Sequence, residues 1–238
     1  ALDTSSAPNS RLRLRLINGS QRSVIALRIP NYDIHVIAID SRPAEPFIAR
    51  NSQLVLAPAS RIDAIIDVTG SPGSTAPILL HDGRDMRRIG TVACADQPAS
   101  RATPLPAPTS LPTHGLPEKL DLARAVRAEL PLAGAPWSPL VSLDTARPAI
   151  RAKRGQTVTL AIRNTGQQPL VVRLHGHHAR LLDRLDDGWK PYWVDTLPVG
   201  PGVTERLAFL AEFSGRHLLE MAGLSWDAPR LAAPYVIE

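Results

Sequence analysis

The sequence predicts an all-β protein made of two domains, each a β-sandwich or a barrel. Short runs of apolar and β-branched residues follow one another at close, even spacing, which is typical of sandwiches and barrels. The segments between them are rich in turn residues, and the 238 residues include 23 prolines and 15 glycines. The length suits two ordinary domains. Aromatic residues make up only 4% of the chain, so leucine, valine, isoleucine and alanine must form the cores.

The first block, residues 1–100, begins with a polar, turn-rich segment and continues with strand patterns. Arg11–Asn18 alternates arginine with leucine, as expected for a strand with one solvent face. The other predicted strands of this block are Ser23–Ile29, Ile34–Ile39, Gln53–Ala57 and Ile62–Val68, with weaker patterns at Pro77–Leu80 and Thr91–Ala95.

Proline is concentrated in residues 97–118, which predicts a linker or extended crossover over 101–130. Leu120–Leu130 is compatible with one or two helical turns, which we favour, or with a turn that leads into a strand. The second block, residues 131–238, again consists of strand patterns. They are Ala149–Ala152, Gln156–Arg163, Leu170–Leu174, Arg180–Leu185, Tyr192–Val199, Thr204–Leu210, His217–Met221 and Pro234–Glu238.

Composition excludes several classes of function. The 27 basic and 22 acidic residues give a net charge of +5, but the arginines are scattered rather than clustered, so nucleic-acid binding is not expected. The single cysteine, Cys94, excludes an intrachain disulfide framework and a multi-cysteine zinc site. No apolar run is long enough for a transmembrane helix, and no signal peptide is visible.

The second block contains an ordered series of motifs. A strand ends in Leu174-His175-Gly-His177-His178, then come Trp193-Val-Asp195-Thr196, a Pro201-Gly202 turn, an apolar strand and Gly215-Arg-His217. This series resembles the C-terminal domain of multicopper oxidases. The first block resembles the middle domain of the same family, at Arg11–Asn18, Val36–Asp40, Leu54–Pro58 and Arg61-Ile-Asp63.

The resemblance implies an all-β protein of two cupredoxin-like Greek-key β-sandwich domains. Residues 1–100 would be a middle domain, incomplete at its N-terminus, and residues 131–238 the C-terminal domain. It also implies that a first cupredoxin domain is missing from this chain, so that domain or another protein is the expected partner. The family members of the bacterial envelope suggest a periplasmic location.

Copper is the cofactor of the family. Its blue copper centre uses a cysteine thiolate, two imidazoles and usually a weak axial methionine, because the soft thiolate binds copper strongly and conducts electrons. Three further coppers are held by four His-x-His pairs, two of them from the first domain. That cluster reduces dioxygen with electrons taken from the substrate.

Most of these ligand positions are substituted here. Aligned on the motifs above, the blue-centre positions are Leu170, Met221, Trp226 and Leu231, with Met221 in the place of the cysteine. The cluster positions carry Arg173, Glu220 and Ala222. The second histidine of the first cluster pair is retained as His175, whereas Arg173 would bring a fixed positive charge next to copper.

Three hypotheses follow. In the first, the chain needs no cofactor and is a non-catalytic binding or scaffold module of the bacterial envelope, similar to copper-free relatives of the SufI type. In the second, it is a portion of a laccase-like oxidoreductase that oxidises phenols or metal ions with O₂, with its remaining ligands in an absent first domain. In the third, a minor alternative, His175 and His177 lie on one side of a strand and bind a non-blue metal, with Glu220 as a possible third ligand.

Other candidates have simpler interpretations. Asp183, Asp186 and Asp187 could act as paired carboxylates, but a solvated hairpin end explains them as well. His35 and His217 are lone histidines in apolar strands and are predicted to be structural, as is the buried Cys94. The densest aromatic group could be core or an exposed recognition patch, and it consists of Trp189, Tyr192 and Trp193.

Overall fold

A computed structural model describes residues 2–113, 115–143, 145–182 and 189–238, without the side chains of residues 189–191. The chain divides into two compact units, which we call unit 1 (residues 1–112) and unit 2 (residues 113–238). Apart from two short 3₁₀ turns, Arg50–Ser52 and Leu140–Ser142, the regular structure of these described residues is β-strand. The all-β fold class predicted from the sequence is therefore confirmed.

Unit 1 contains two sheets. Its strands are β1 (Leu2–Ser6), β2 (Ser10–Ile17), β3 (Ile25–Arg28), β4 (His35–Ile39), β5 (Arg42–Ile48), β6 (Gln53–Leu56), β7 (Arg61–Val68), β8 (Thr75–His81) and β9 (Met86–Cys94). One sheet has the order β1-β9-β8-β3-β6 and the other the order β2-β7-β4-β5. Alternate residues of β7 are buried, as a strand with one core face requires.

Arginines on the outer face of β2 are held by acidic residues of β7. Arg11 and Asp67 are directly opposite and form two hydrogen bonds of 2.7 Å. Arg13 donates a single hydrogen bond to Asp63, which is a diagonal neighbour because Asp63 lies directly opposite Arg15. The alternation in this strand thus reflects one packed face and one face of cross-strand ion pairs.

Unit 2 also contains two sheets. Its strands are β10 (Val126–Pro131), β11 (Ser138–Pro139), β12 (Ile150–Ala152), β13 (Thr157–Arg163), β14 (Leu170–Leu174), β15 (Ala179–Leu182), β16 (Trp189–Val194), β17 (Thr196–Val199), β18 (Thr204–Leu210), β19 (Gly215–Gly223) and β20 (Arg230–Ile237). One sheet has the order β10-β13-β18-β15-β16, and the other the order β11-β20-β19-β14-β17, with β12 also paired to β20. Tyr235, Phe209 and Leu219 are among the largest fully buried side chains.

Each unit contains the same asparagine corner. The Asn18 side chain donates to the carbonyls of Ser23 and Leu56 and accepts from the Ser20 N–H, while its own carbonyl accepts from Ala59.

The Asn164 side chain repeats this pattern, because it donates to the carbonyls of Gln168 and Val199 and accepts from the Gly166 N–H. Its carbonyl accepts from Gly202. In both units the buried amide links the end of one strand to the turn before another. Its side-chain oxygen and nitrogen both have hydrogen-bond partners, as buried polar groups require.

Three elements differ from the sequence predictions. The polar start of the chain forms strand β1, which pairs with β9 in parallel. Arg42–Ile48 forms β5 rather than a turn alone. The helical turns favoured for Leu120–Leu130 are wrong, because Asp121 caps a tight turn that leads into β10, paired in parallel with β13.

Helices are too short for a membrane span anywhere in the described part of the chain.

Candidate functional site

Three neighbouring strands of unit 2 carry most of the positions that the sequence motifs align with the family's copper ligands. β19 lies between β14 and β20 in one antiparallel sheet, where Val172 is opposite Met221 and Met221 is opposite Leu231. One residue further along, Arg173 is opposite Glu220. Because side chains alternate between the two faces of a strand, Met221 and Leu231 share one face and Arg173 and Glu220 share the other.

The first of these faces carries the blue-centre positions. Met221 is only 6% exposed and packs on the same face as Leu170 and Leu231. Trp226 lies in the turn after β19 and is 78% exposed. A thioether, two aliphatic groups and an indole do not supply the thiolate and imidazoles of a blue centre, so these side chains do not fit that copper.

The second face carries the cluster positions, and an ion-pair network lies there. Glu220 is the centre of the network, with one carboxylate oxygen 3.0 Å from Nε2 of His175. Its other oxygen accepts from the Arg230 guanidinium, with Nε at 2.9 Å and Nη2 as a second donor. The pKa of Glu220 is lowered to about 2, chiefly by the His175 hydrogen bond and also by Arg230, against the opposing effect of burial.

His177 occupies a different environment from His175. Strand β14 ends at Leu174, and Gly176 has a φ of 93°, so the chain turns before His177. His177 is 3% exposed, and its Nδ1 lies 2.8 Å from the hydroxyl of Tyr235. Tyr235 shares its face of the sheet with His217, three residues before Glu220, so it lies on the side opposite to Glu220. The expectation that His175 and His177 point to one side is therefore wrong.

The hydrogen bonds of His177 define its tautomer. The Tyr235 hydroxyl donates to the carbonyl of His175 at 2.6 Å, so it must accept from Nδ1–H of His177. The other ring nitrogen, Nε2, accepts from the Phe213 N–H at 3.3 Å. Burial lowers the pKa of His177 to about 4, with His217 and His178 adding to the effect. The ring is thus neutral near pH 7 and uses both nitrogens in holding the turn.

His217 completes an aromatic cluster around His177. Its ring stacks on Tyr235 at a centroid distance of 5.1 Å, and its Nε2 donates to the Phe213 carbonyl at 2.8 Å. Phe209 is fully buried 5.1 Å from the His177 ring. Both backbone groups of Phe213 are therefore held by imidazoles, which gives His217 a structural role, as the sequence indicates.

The motif Trp193-Val-Asp195-Thr196 contributes packing and one further pair. Asp195 lies 3.5 Å from Nε2 of His178 and accepts a 2.7 Å hydrogen bond from Thr196. Trp193 is 4% exposed, and its ring lies 5.5 Å from the Arg180 guanidinium carbon. Of the two interpretations of this aromatic residue, core is the one that the structure supports.

The remaining sequence candidates lie apart from these strands or outside the described residues. Cys94 is buried at the end of β9 and its Sγ lies 3.1 Å from the Gly70 carbonyl, while His35 lies in β4. The side chain of Trp189 and the acidic group Asp183, Asp186 and Asp187 fall outside the described residues. Within the described part of the chain, no three His, Cys, Asp or Glu side chains form a group that could hold a metal ion.

Sequence reasoning missed two kinds of contact in this region. The pairing of Glu220 with Arg230 joins two strands, and nothing in the local sequence marks either residue as the other's partner. Tyr235 belongs to the last strand and reaches the turn after β14 through the fold alone. The motif around His175 located the region, but the register of β14, β19 and β20 determines the partners.

Family profiles described as multicopper oxidase match residues 3–74 and 113–226. A multi-copper oxidase from Pseudomonas thermotolerans superposes with a TM-score of 0.80 at 23% identity, over 98% of this chain and 56% of that one. Lac15, from a marine microbial metagenome, gives a TM-score of 0.79 at 23% identity, over 100% of this chain and 57% of that one.

A third similar structure is CueO, a bacterial laccase-like multi-copper oxidase from the lignin-degrading Ochrobactrum sp. It gives a TM-score of 0.72 at 18% identity, over 99% of this chain and 58% of that one. The chain thus spans somewhat more than half the length of these oxidases. A comparison with curated protein sequences gave no match.

Proposed function

Because the chain belongs to the multicopper oxidase family and spans only part of the length of similar oxidases, we propose that it is a copper-free, non-catalytic binding or scaffold module of that family. The observation that carries the proposal is the chemistry of the ligand positions. Aligned on the sequence motifs, Met221, which is buried in β19, takes the position of the family's copper thiolate. A thioether cannot replace a thiolate as the strong ligand and electron path of a blue centre.

The cluster face supports the same proposal. Arg173 and Arg230 are permanently charged, and two such cations beside a site disfavour the binding of copper ions through Coulomb repulsion. Glu220 is already neutralised by Arg230 and hydrogen-bonded to His175, so its carboxylate gains little from a metal. His177 is engaged at both ring nitrogens.

Copper loading tests the proposal directly. The purified chain is exposed anaerobically to Cu(I), reoxidised, desalted and analysed for copper content and visible absorption. We expect no stoichiometric copper and no blue charge-transfer band, because none of the blue-centre positions carries a thiolate or an imidazole. One copper per chain with a strong blue band would overturn the proposal. The variant Met221→Cys tests whether a thiolate at that position restores any absorption.

An oxidase role is the second candidate, and the partial coverage favours it. The chain spans 56% to 57% of the length of the first two oxidases named above, so ligands could be supplied from elsewhere. Oxygen consumption with a phenol, measured on the full-length natural protein after copper loading, distinguishes the two. Activity that survives His175→Ala would assign any catalysis to residues outside the cluster positions of this chain.

A periplasmic location is part of the proposal and rests on the resemblance to envelope members of the family. Fractionation of cells that express the complete natural gene tests it. Recovery of the protein with cytoplasmic markers would contradict this part of the proposal without affecting the prediction on copper.

A further inference from the structure

The face of β14, β19 and β20 that corresponds to the copper cluster contains a cation of its own. Arg230, at the start of β20, donates through Nε and Nη2 to one oxygen of Glu220. Glu220 is only 14% exposed at its side chain, so its charge is largely removed from water and needs a counter-ion. The guanidinium supplies it from the neighbouring strand.

The second oxygen of Glu220 and Nε2 of His175 are also engaged, with each other, at a distance of 3.0 Å. An ionised carboxylate only accepts hydrogen bonds, so Nε2 of His175 must carry a proton and has no lone pair for a metal. The one imidazole retained from the family's ligand pattern is therefore turned into a donor by Glu220.

We propose that Arg230 acts as a built-in substitute for a metal cation, holding Glu220 and His175 together and keeping this face closed to metal ions. A metal ion would have to displace a cation that is covalently part of the chain and cannot lose its proton. Without Arg230, Arg173 is left as the other cation of this face and no longer acts together with it. Zn²⁺ or Cu²⁺ can then compete for Glu220 and Nε2 of His175, ligands of the oxygen and nitrogen type that these ions accept.

The proposal rests on the proposed loss of the copper centres, but it makes a separate claim about one arginine. It assigns to Arg230 a role in excluding metal, in addition to stabilising the sheet. Arg151 provides a matched comparison, because it forms an exposed pair with Glu238 in the same unit at 3.2 Å and has no histidine partner in that pair.

The test is equilibrium binding of Cu²⁺ and Zn²⁺ to the wild-type chain and to Arg230→Gln, Arg151→Gln and Arg230→Gln/His175→Gln. We expect Arg230→Gln to bind one Cu²⁺ at least about tenfold more tightly than wild type, the scale on which neighbours of a ligand change metal affinity. Electron paramagnetic resonance of bound Cu²⁺ should show imidazole nitrogen coupling that disappears in the double variant. Arg151→Gln should bind as wild type does.

The outcomes separate this inference from the proposed function. If wild type and Arg230→Gln both bind metal equally weakly, the role of Arg230 is wrong and the copper-free proposal stands. If wild type binds one copper with a blue band, the proposed function itself is wrong. Should Arg230→Gln fail to fold, Arg230→Met, which keeps an apolar stem but no charge, takes its place, and a metal affinity equal to that of wild type would overturn the inference.

Discussion

Ala59 and Gly202 occupy equivalent places at the two asparagine corners, yet only one of them is glycine. Both backbones lie in the left-handed region, with φ values of 68° and 69°, and each residue donates its N–H to the carbonyl of the corner asparagine. An alanine in this conformation is strained by roughly 1 kcal/mol, because its Cβ approaches the following carbonyl oxygen. Exchanging alanine and glycine at these two positions should therefore change the stability of the two units in opposite directions.

We predict that Ala59→Gly stabilises unit 1 and that Gly202→Ala destabilises unit 2. The expected change in the free energy of unfolding is about 0.5 kcal/mol for each, with opposite signs, since glycine's greater unfolded-state entropy offsets part of the strain in both cases. A Cβ at Gly202 would meet no atom within 4 Å, so backbone conformation alone is being tested. Urea unfolding measures both values, and a neutral Gly202→Ala would show that this turn relaxes at no cost.

At the scale of an element, the turn after β14 makes the acid stability of unit 2 depend on His177. The pKa of His177 falls from 6.5 in the unfolded chain to about 4 in the folded one. Above pH 6.5 both states are neutral at this ring, so it has no effect there. As the pH drops from 6.5 towards 4, the unfolded state takes up a proton that the folded state does not, and stability decreases by up to about 3 kcal/mol.

The variant His177→Gln should remove the pH dependence of unfolding in this window. His81→Gln, on an exposed hairpin of unit 1, is the matched control and should leave it unchanged. Glu220 acts in a lower window, because its pKa falls from 4.5 to about 2 and its stabilising effect is lost as the pH falls through that range. Equal pH profiles for wild type and His177→Gln would contradict the prediction.

Strands with a strong local pattern were predictable, whereas strands defined by distant partners were not. The alternation in β2 and the β-branched runs of β7 and β13 encode one buried and one exposed face within a few residues. β1 and β10 are short of such a pattern and form by parallel pairing with β9 and β13. Their stability comes from backbone hydrogen bonds to segments that no local window contains.

The same division applies to the candidate site. His175 could be identified from the sequence, because it lies in the motif Leu174-His175-Gly176-His177. The sequence also gave a wrong orientation for His177, since a period of two assumes that the strand continues, whereas the positive φ of Gly176 ends it. Arg230, the partner of Glu220, and Tyr235, the partner of His177, are brought into place by the register of the strands. That register depends on pairing between distant segments and is not visible in the local sequence.

At the scale of the whole molecule, the repeated asparagine corner allows one matched substitution in each unit. Asn164→Ala removes the partner of two carbonyls and one N–H. Asn18→Ala removes the same three hydrogen bonds, although there the Ser23 carbonyl keeps the Ser20 hydroxyl as a donor. Unpaired buried groups of this kind cost about 2 to 3 kcal/mol. The two corners share these three hydrogen bonds. A difference between the unfolding transitions of the two variants therefore reflects mainly whether the units unfold separately.

The distribution of tryptophan makes that difference measurable. All four tryptophans lie after residue 112, so tryptophan fluorescence follows unit 2, while circular dichroism follows the strands of both units. In urea we expect Asn164→Ala to lower the midpoint of the fluorescence transition. Asn18→Ala should leave that midpoint in place and add an earlier transition in circular dichroism, because its effect is confined to a core with its own buried residues. If Asn18→Ala moves the fluorescence midpoint as far as Asn164→Ala does, the two units unfold as one cooperative structure and the prediction is wrong.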